Sequence, residues 1–402
     1  MPRTTTSLFP ELEKDLRSLA DATTGILPSQ EIATLVQSGV IASALPVAED
    51  QIQPASIDLR LGPVAHRVRA SFLPGKQLSV GARIKDLGMH DIDLTRPAVL
   101  ERGCVYIVPL QEELLLTKDL SGKANPKSTT GRLDIFTRLI TDYGTEFERV
   151  PAGYRGKLYL EVVPRTFSIV VRSGTRLNQL RFLRGNPAPS DSAHRKLHDA
   201  ETLTFTDDDS PIPALIDDGL RISVDLEGGN EAPIAGYRAK RHAPLIDLAR
   251  INHYDPAEFW EPIVPAAGKK LVLHPDDFYI LVSKEKIRIP PTYAAAMVAY
   301  DPSVGEFRIH YAGFFDPGFG YGEHVYGTRA VLEVRTHEVP FLIEDGQPVG
   351  RLVYERMLAR PAKLYGAGIG SSYQSQGLAL GKQFKRLDSY EWLRRASASG
   401  VT

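Results

Sequence analysis

The sequence repeats itself, and that limits the folds open to it more than any other feature. Ser56-Ile57-Asp58-Leu59 returns as Ser223-Val224-Asp225-Leu226, and Leu160-Glu161 returns as Leu332-Glu333. The spacing from each glutamate to a later glycine is the same in both halves, Glu161 to Gly174 and Glu333 to Gly346. Two copies are too few for a solenoid, so the pattern reads as a tandem duplication of one domain. The 402 residues suffice for two domains with full cores.

The repeated unit reads as β. From Leu78 to Leu183 short apolar runs are punctuated by Gly, Pro and Asp, the pattern of an all-β barrel or jelly roll. Ile57, Leu59 and Leu61 alternate with Asp58 and Arg60, which predicts a strand buried on one side, and Pro54 confines it to an edge or a strand start. In the second copy Phe307, Ile309 and Tyr311 alternate with polar residues, Asp316-Pro317-Gly318 is turn chemistry, and Ala330–Val334 is a further strand. Short helices are expected at the periphery: Phe9–Ala20, a helix capped by Ser29 and stopped by Gly39, and Ser389–Ala396. The expected boundaries are an N-terminal extension at 1–24, a first β domain at 25–185, a linker at 186–217 marked by Asn186–Ser190 and Asp207–Pro211, a second β domain at 218–365, and a tail at 366–402.

Composition excludes several classes of function. The net charge is −1, so no bulk field draws the chain to nucleic acid or a membrane surface, and a polyanion site must be local. Met1–Gly25 has no apolar signal core, and no run of about 18 apolar residues occurs, so neither a signal peptide nor a membrane span is expected. The single cysteine, Cys104, lies in an apolar run and is read as a buried, inert thiol. One cysteine forms no internal disulfide and fits a reducing cytoplasm.

Two stretches carry candidate chemistry. Lys127-Ser128-Thr129-Thr130-Gly131-Arg132 offers two cations, three hydroxyls and a glycine in six residues, which suits a phosphate chain. Arg binds oxygens bidentately, while hydroxyls and backbone N–H groups fill in. Glu333 is a carboxylate in an apolar strand, either on a solvent-facing side or, if buried, costly unless it has a partner or a task. Glu161 occupies the matching place in the first copy. Histidines form no metal pattern: His310 lies in the strand before the turn, and His194 and His198 are read as solvated in the linker.

Ala312-Gly313-Phe314-Phe315-Asp316-Pro317-Gly318-Phe319, followed by Leu332-Glu333, resembles the nucleoside-pocket motif of the dCTP deaminases, members of the trimeric dUTPase-like superfamily. Pro54-Ala55-Ser56-Ile57-Asp58-Leu59-Arg60-Leu61-Gly62 resembles their N-terminal signature, and Ser371–Gly377 their Tyr-x-x-Gln-Gly lid. Lys127–Arg132 resembles their Arg-Ser-Ser-x-(Ala/Gly)-Arg triphosphate motif, with Lys127 for the first Arg. The resemblance implies two tandem dUTPase-like domains. It implies a nucleoside pocket at Ala312, Gly313, Phe314 and Asp316, phosphate contacts from Lys127, Ser128, Thr129 and Arg132, and a lid with Tyr373 and Gln376. Glu333 is then the general base that activates water against C4 of cytosine, with Glu161 its alternative.

The copies depart from the family motif in complementary ways. Asp301-Pro302-Ser303-Val304-Gly305-Glu306 aligns with Lys127–Arg132, and both cations have become carboxylates, which repel a triphosphate. In the first copy Pro151 replaces the turn Asp and Glu146-Phe147 replaces Thr-Ala, so Phe147 crowds the slot. The expected result is one composite site, Lys127, Ser128 and Arg132 facing Ala312, Asp316 and Glu333, formed within one chain or in a homo-oligomer. The pairing of Glu161 with Asp301 and Glu306 is expected to be inactive.

The implied reaction is hydrolytic deamination of dCTP to dUTP and ammonia, with Mg²⁺ arriving as the nucleotide complex. Zinc is not expected, because the chain lacks the Pro-Cys-x-x-Cys signature of zinc deaminases. The competing readings are a dUTP diphosphatase or bifunctional enzyme, for which Asp316 is the residue of interest, and a non-catalytic nucleotide-binding protein.

Overall fold

The structure, a computed structural model, describes residues 23–187, 189–228, 234–266, 268–298, 307–309, 313–322, 324–336, 338–366, 377–386 and 392. The predicted helices at Phe9–Ala20 and Ser389–Ala396 lie outside this set, Trp392 excepted. The chain is mostly β. The helices among the described residues are short: Ser29–Gln37, Val80–Leu87, Ser128–Gly131 and Asp191–Glu201. None is long and apolar enough to cross a membrane.

Each half builds two main sheets. In the first, Arg155–Pro164, the strand carrying Glu161, lies between Val105–Leu115 and Ile135–Thr141. A second sheet sets Arg176–Arg184 between Ile57–Arg60 and Leu120–Pro126. The other half repeats the scheme. Thr328–Thr336, the strand carrying Glu333, lies between Tyr279–Ile287 and Phe307–Ile309. Pro348–Arg356 lies between Leu220–Ser223 and Tyr293–Val298.

What differs is the cover over each glutamate strand. Leu158, Leu160 and Val162 enter the main core of the first half, and period-2 alternation turns Tyr159 and Glu161 to the opposite face. That face is covered locally, by Val80 and its neighbours with Phe72 and Phe147 packed alongside. In the second half Ala330, Leu332 and Val334 enter the core, and Arg329, Val331, Glu333 and Arg335 take the other face. There Val331 packs against an apolar cluster drawn from both halves, and Arg335 pairs with Asp134, so the first half is the cover. A polar strand face is thereby buried between domains, where every charge needs a partner or a function.

The halves share one apolar core. Phe167 stacks edge-on against Phe259 and Trp260 at ring separations of 5.8 and 5.6 Å. Such pairs add about 0.5–1.5 kcal/mol beyond their buried area. Ile169–Val171 pairs in parallel with Ile246–Asp247, and Leu358 N donates to Ile26 O at 2.9 Å.

Several expectations need correction. Within 189–217, part of the expected linker, there is regular structure. Ser190 caps the helix Asp191–Glu201, and Thr204–Phe205 adds a strand beside Tyr279–Ile287. His194 is buried, not solvated. Its Nε2 accepts from Tyr354 N at 3.0 Å and its Nδ1 lies 2.9 Å from Ser190 O, so the ring pins this helix to the second domain. His198 is partly covered, with Leu203 N donating to its Nδ1. The strand Ile57–Arg60 is buried on both sides, because Arg60 pairs with Glu112 at 2.7 Å and Asp58 pairs with Lys127. Pro28 caps the second helix, with Ser29 its first residue. Cys104 is half-buried.

Candidate active site

One cavity between the halves brings the two candidate stretches together. Lys127, Ser128 and Arg132 line it from the first half, and Gly313, Phe314, Asp316, Val331 and Glu333 from the second. The first group sits on a tight helical turn, Ser128–Gly131, which follows the strand Leu120–Pro126. Thr130 Oγ1 fastens that turn by donating to Leu177 O at 2.7 Å. Arg132 is 5% exposed, and its Nη1 donates to Ala379 O at 3.1 Å, so it ties the chain's late segment to the cavity edge.

Glu333 forms the opposite wall. It is 6% exposed. Burial pushes its carboxyl up to about 8, with the nearby charge of Arg132 opposing the rise. A carboxyl poised near neutrality is suited to taking and returning a proton at physiological pH.

The pocket turn is held from below. Gly318 has φ of +93°, and a Cβ there would lie 3.1 Å from Tyr365 N, so glycine is required where the turn meets the descending chain. Tyr365 N donates to Pro317 O at 2.8 Å, and Gly318 N to Ile289 O at 3.0 Å. Asp316 is 9% exposed, and its Oδ1 accepts from Arg181 Nη2 at 3.3 Å. Burial pushes the Asp316 carboxyl up, with the Arg181 charge pulling it back.

Lys127 also borders a second cavity, with Thr129, Arg176 and Lys382. Thr129 therefore serves the adjoining space, not the cavity of Glu333. The Lys127 ammonium bonds Asp58, and Arg176 pairs with Asp50 at 2.9 Å. Burial pushes the Lys382 ammonium down, and the Lys127 charge adds to this.

Glu161 has no comparable space. It is 0% exposed, and Arg138, its cross-strand neighbour, donates to its Oε1 from Nε at 2.9 Å and Nη2 at 2.6 Å. Phe147 stacks on that guanidinium at 3.6 Å. The slot is filled by the chain's own side chains, as the bulk of Phe147 predicts. Ala312, Tyr373 and Gln376 lie outside the described residues, as do Asp301, Glu306 and His310. The sequence pattern gave no sign of Arg176, Arg181, Arg329 or Lys382, which act through partners distant in sequence. Among the described residues no group of three or more His, Cys, Asp or Glu could hold a metal ion.

Family models for the two halves of one enzyme match in order. The 2′-deoxycytidine 5′-triphosphate deaminase N-terminal domain matches residues 23–186, and the C-terminal domain of the same enzyme matches 190–384. The crystal structure of 2′-deoxycytidine 5′-triphosphate deaminase from Agrobacterium tumefaciens superposes with a TM-score of 0.79 at 52% identity, covering 84% of this chain and 100% of that one. The dCTP deaminase of Natronomonas pharaonis is 28% identical over 188 residues, 45% of this chain and 90% of that protein. A dUMP-forming dCTP deaminase of Mycolicibacterium smegmatis is 30% identical over 148 residues, 35% of this chain and 74% of that protein. With both domains present in sequence and a solved relative matched along its whole length, the chain belongs to the 2′-deoxycytidine 5′-triphosphate deaminase family.

Proposed function

We propose that the cavity between the halves is a composite site for the hydrolytic deamination of dCTP to dUTP and ammonia. One observation carries this reading: Lys127, Ser128 and Arg132 line the same cavity as Gly313, Phe314, Asp316 and Glu333. The chain is accordingly a hydrolase acting on a C–N bond. The finer architecture follows the same reading: two tandem dUTPase-like barrels, duplicated and then specialised in opposite directions. The site forms within a single chain. Homo-oligomerisation is a separate matter, read by mass in solution.

In this reading the cytosine ring rests on the Phe314 turn with C4 toward Glu333. Glu333 takes a proton from water as the oxygen bonds to C4, then returns it to the departing amine. Arg132 stabilises charge on the base, and Ser128 orients the water or the α-phosphate. The triphosphate runs past Lys127 toward Thr129, Arg176 and Lys382 as its Mg²⁺ complex, the ion held by phosphate oxygens. Ala312 completes the pocket and Tyr373 and Gln376 the lid. We place the reaction in the cytoplasm.

The test is incubation with each deoxynucleoside triphosphate and Mg²⁺, reading ammonia. Release from dCTP alone supports the reading, and full activity in Arg132→Ala or Glu333→Ala overturns it. A second reading, that the product continues to dUMP, has one observation in its favour: the Mycolicibacterium smegmatis and Halobacterium salinarum relatives are named dUMP-forming.

A further inference from the structure

The strand Arg176–Arg184 sends Leu180 and Phe182 into the first half's core and Arg181 to the opposite face. The Arg181 side chain is 1% exposed, and its described hydrogen-bond partners all lie in the second half. Nη1 donates to Ala295 O at 2.8 Å, and Nη2 donates to Phe315 O at 2.8 Å and to Asp316 Oδ1 at 3.3 Å. The guanidinium also lies 3.9 Å from the centre of the Phe314 ring. A buried cation is costly unless carbonyls, a carboxylate and a π face take it up together, as they do here.

The repeat offers an internal control. Val353 stands at the same spacing from Gly346 as Arg181 from Gly174. The same strand position is thus apolar in the second half. What Arg181 holds is the pocket floor: Phe314, Phe315 and Asp316 line the same cavity as Glu333.

The contact also bears on the product. Deamination breaks the C4–N bond and forms C4–O, consuming one water, and Glu333 regains its starting ionisation when its proton leaves with the amine. Going on to dUMP needs a second water to attack the α-phosphorus, expelling diphosphate, and that water needs a base of its own. Besides Glu333, the described carboxylates here are Asp316, bonded to Arg181, and Asp58, bonded to Lys127. Asp316 directs Oδ1 at the Arg181 guanidinium, 3.3 Å away, so that oxygen is already taken when a water approaches.

We propose that Arg181 is a positioning residue that fixes the pocket turn from the opposite domain and commits Asp316 to an ion pair. Glu333 is then the carboxylate that activates water, and the reaction ends at dUTP and ammonia. This rests on the cavity being the deamination site.

The test compares the wild type with Arg181→Met, Asp316→Asn and the double variant, reading ammonia, diphosphate, KM and kcat. The wild type should release ammonia without diphosphate. Arg181→Met should raise KM for dCTP about ten-fold, with a smaller fall in kcat, because it loosens the turn and not the base. Adding Asp316→Asn should restore part of the stability that Arg181→Met loses, read as the urea midpoint, by removing the buried charge left alone. Stoichiometric diphosphate from the wild type, an unchanged KM in Arg181→Met, or strictly additive losses in the double variant would each overturn the proposal. Should Arg181→Met not fold, Arg181→Lys keeps the charge and drops the planar fork. Its KM should still rise, and a wild-type value overturns the proposal. Absence of ammonia from every wild-type reaction sinks the deaminase reading instead, and equilibrium titration with dCTP then reads the Arg181 effect as a weakened Kd.

Discussion

Arg335 Nε lies 3.1 Å from Asp134 Oδ2, and this ion pair joins the halves two residues beyond Glu333 on its strand and two beyond Arg132 in the turn before the strand Ile135–Thr141. Asp134 is 0% exposed and also accepts from Thr166 Oγ1 at 2.5 Å. Removing one member of such a pair leaves a buried charge without its counter-ion, which costs about 3–5 kcal/mol. Arg335→Met should lower the urea midpoint accordingly and reduce kcat, because the pair sets how Arg132 meets Glu333. Combining it with Asp134→Asn should recover most of the stability. A midpoint within experimental error of the wild type for Arg335→Met would remove the clamp from this account.

The rate should depend on pH through Glu333. As the proposed base, Glu333 works only when ionised, and burial holds its carboxyl up to about 8. The acid limb of kcat/KM should therefore have its midpoint near pH 8 and level off only above it, well beyond the ordinary carboxylate range. Glu333→Gln should lower kcat by roughly 10²–10⁴. A profile already flat from pH 6 would mean that a different group supplies the base.

Glu161 makes the opposite case. Its carboxylate is held by Arg138, and Phe147 closes the space a base would need. Glu161→Gln should keep kcat/KM for dCTP within about two-fold while lowering stability by roughly 1–3 kcal/mol through the weakened charge-assisted bonds. Loss of turnover in a folded Glu161→Gln protein would move the reaction to the first domain.

The site was legible where its signal is local. The alternation through Ala330–Val334 and the turn at Asp316-Pro317-Gly318 leave short-range patterns that marked the strand and the turn, while the family motif singled out Glu333. The complementary decay of the two copies named which cation segment would meet which carboxylate. What stayed hidden depends on pairs far apart in sequence. Arg181 with Asp316, and Arg335 with Asp134, leave no periodic trace, because each residue alone resembles a surface charge. Asp58 and Arg60 misled for the same reason: alternation marks them polar, and only their partners Lys127 and Glu112 explain their burial. The helix Asp191–Glu201 was missed although Ser190 is a good cap, because His194 and Leu197 are the only residues it buries.

Stability should expose what the site costs the fold. Folded Glu333 keeps its proton until about pH 8, whereas an unfolded glutamate releases it near 4.5. Between those values the folded state binds more protons, so this residue's contribution falls as pH rises, by up to about 1.36 kcal/mol per unit. Gln at the same position has no proton to lose. Glu333→Gln should match the wild type near pH 4.5 and exceed it at pH 8 by on the order of 2–4 kcal/mol, read as the shift in urea midpoint at each pH. Glu148, which burial also pushes up to about 8, titrates in both proteins and cancels from the comparison. A difference that does not grow with pH would show that the Glu333 carboxyl is already ionised in the fold, and the proton-taking role would have to be given up.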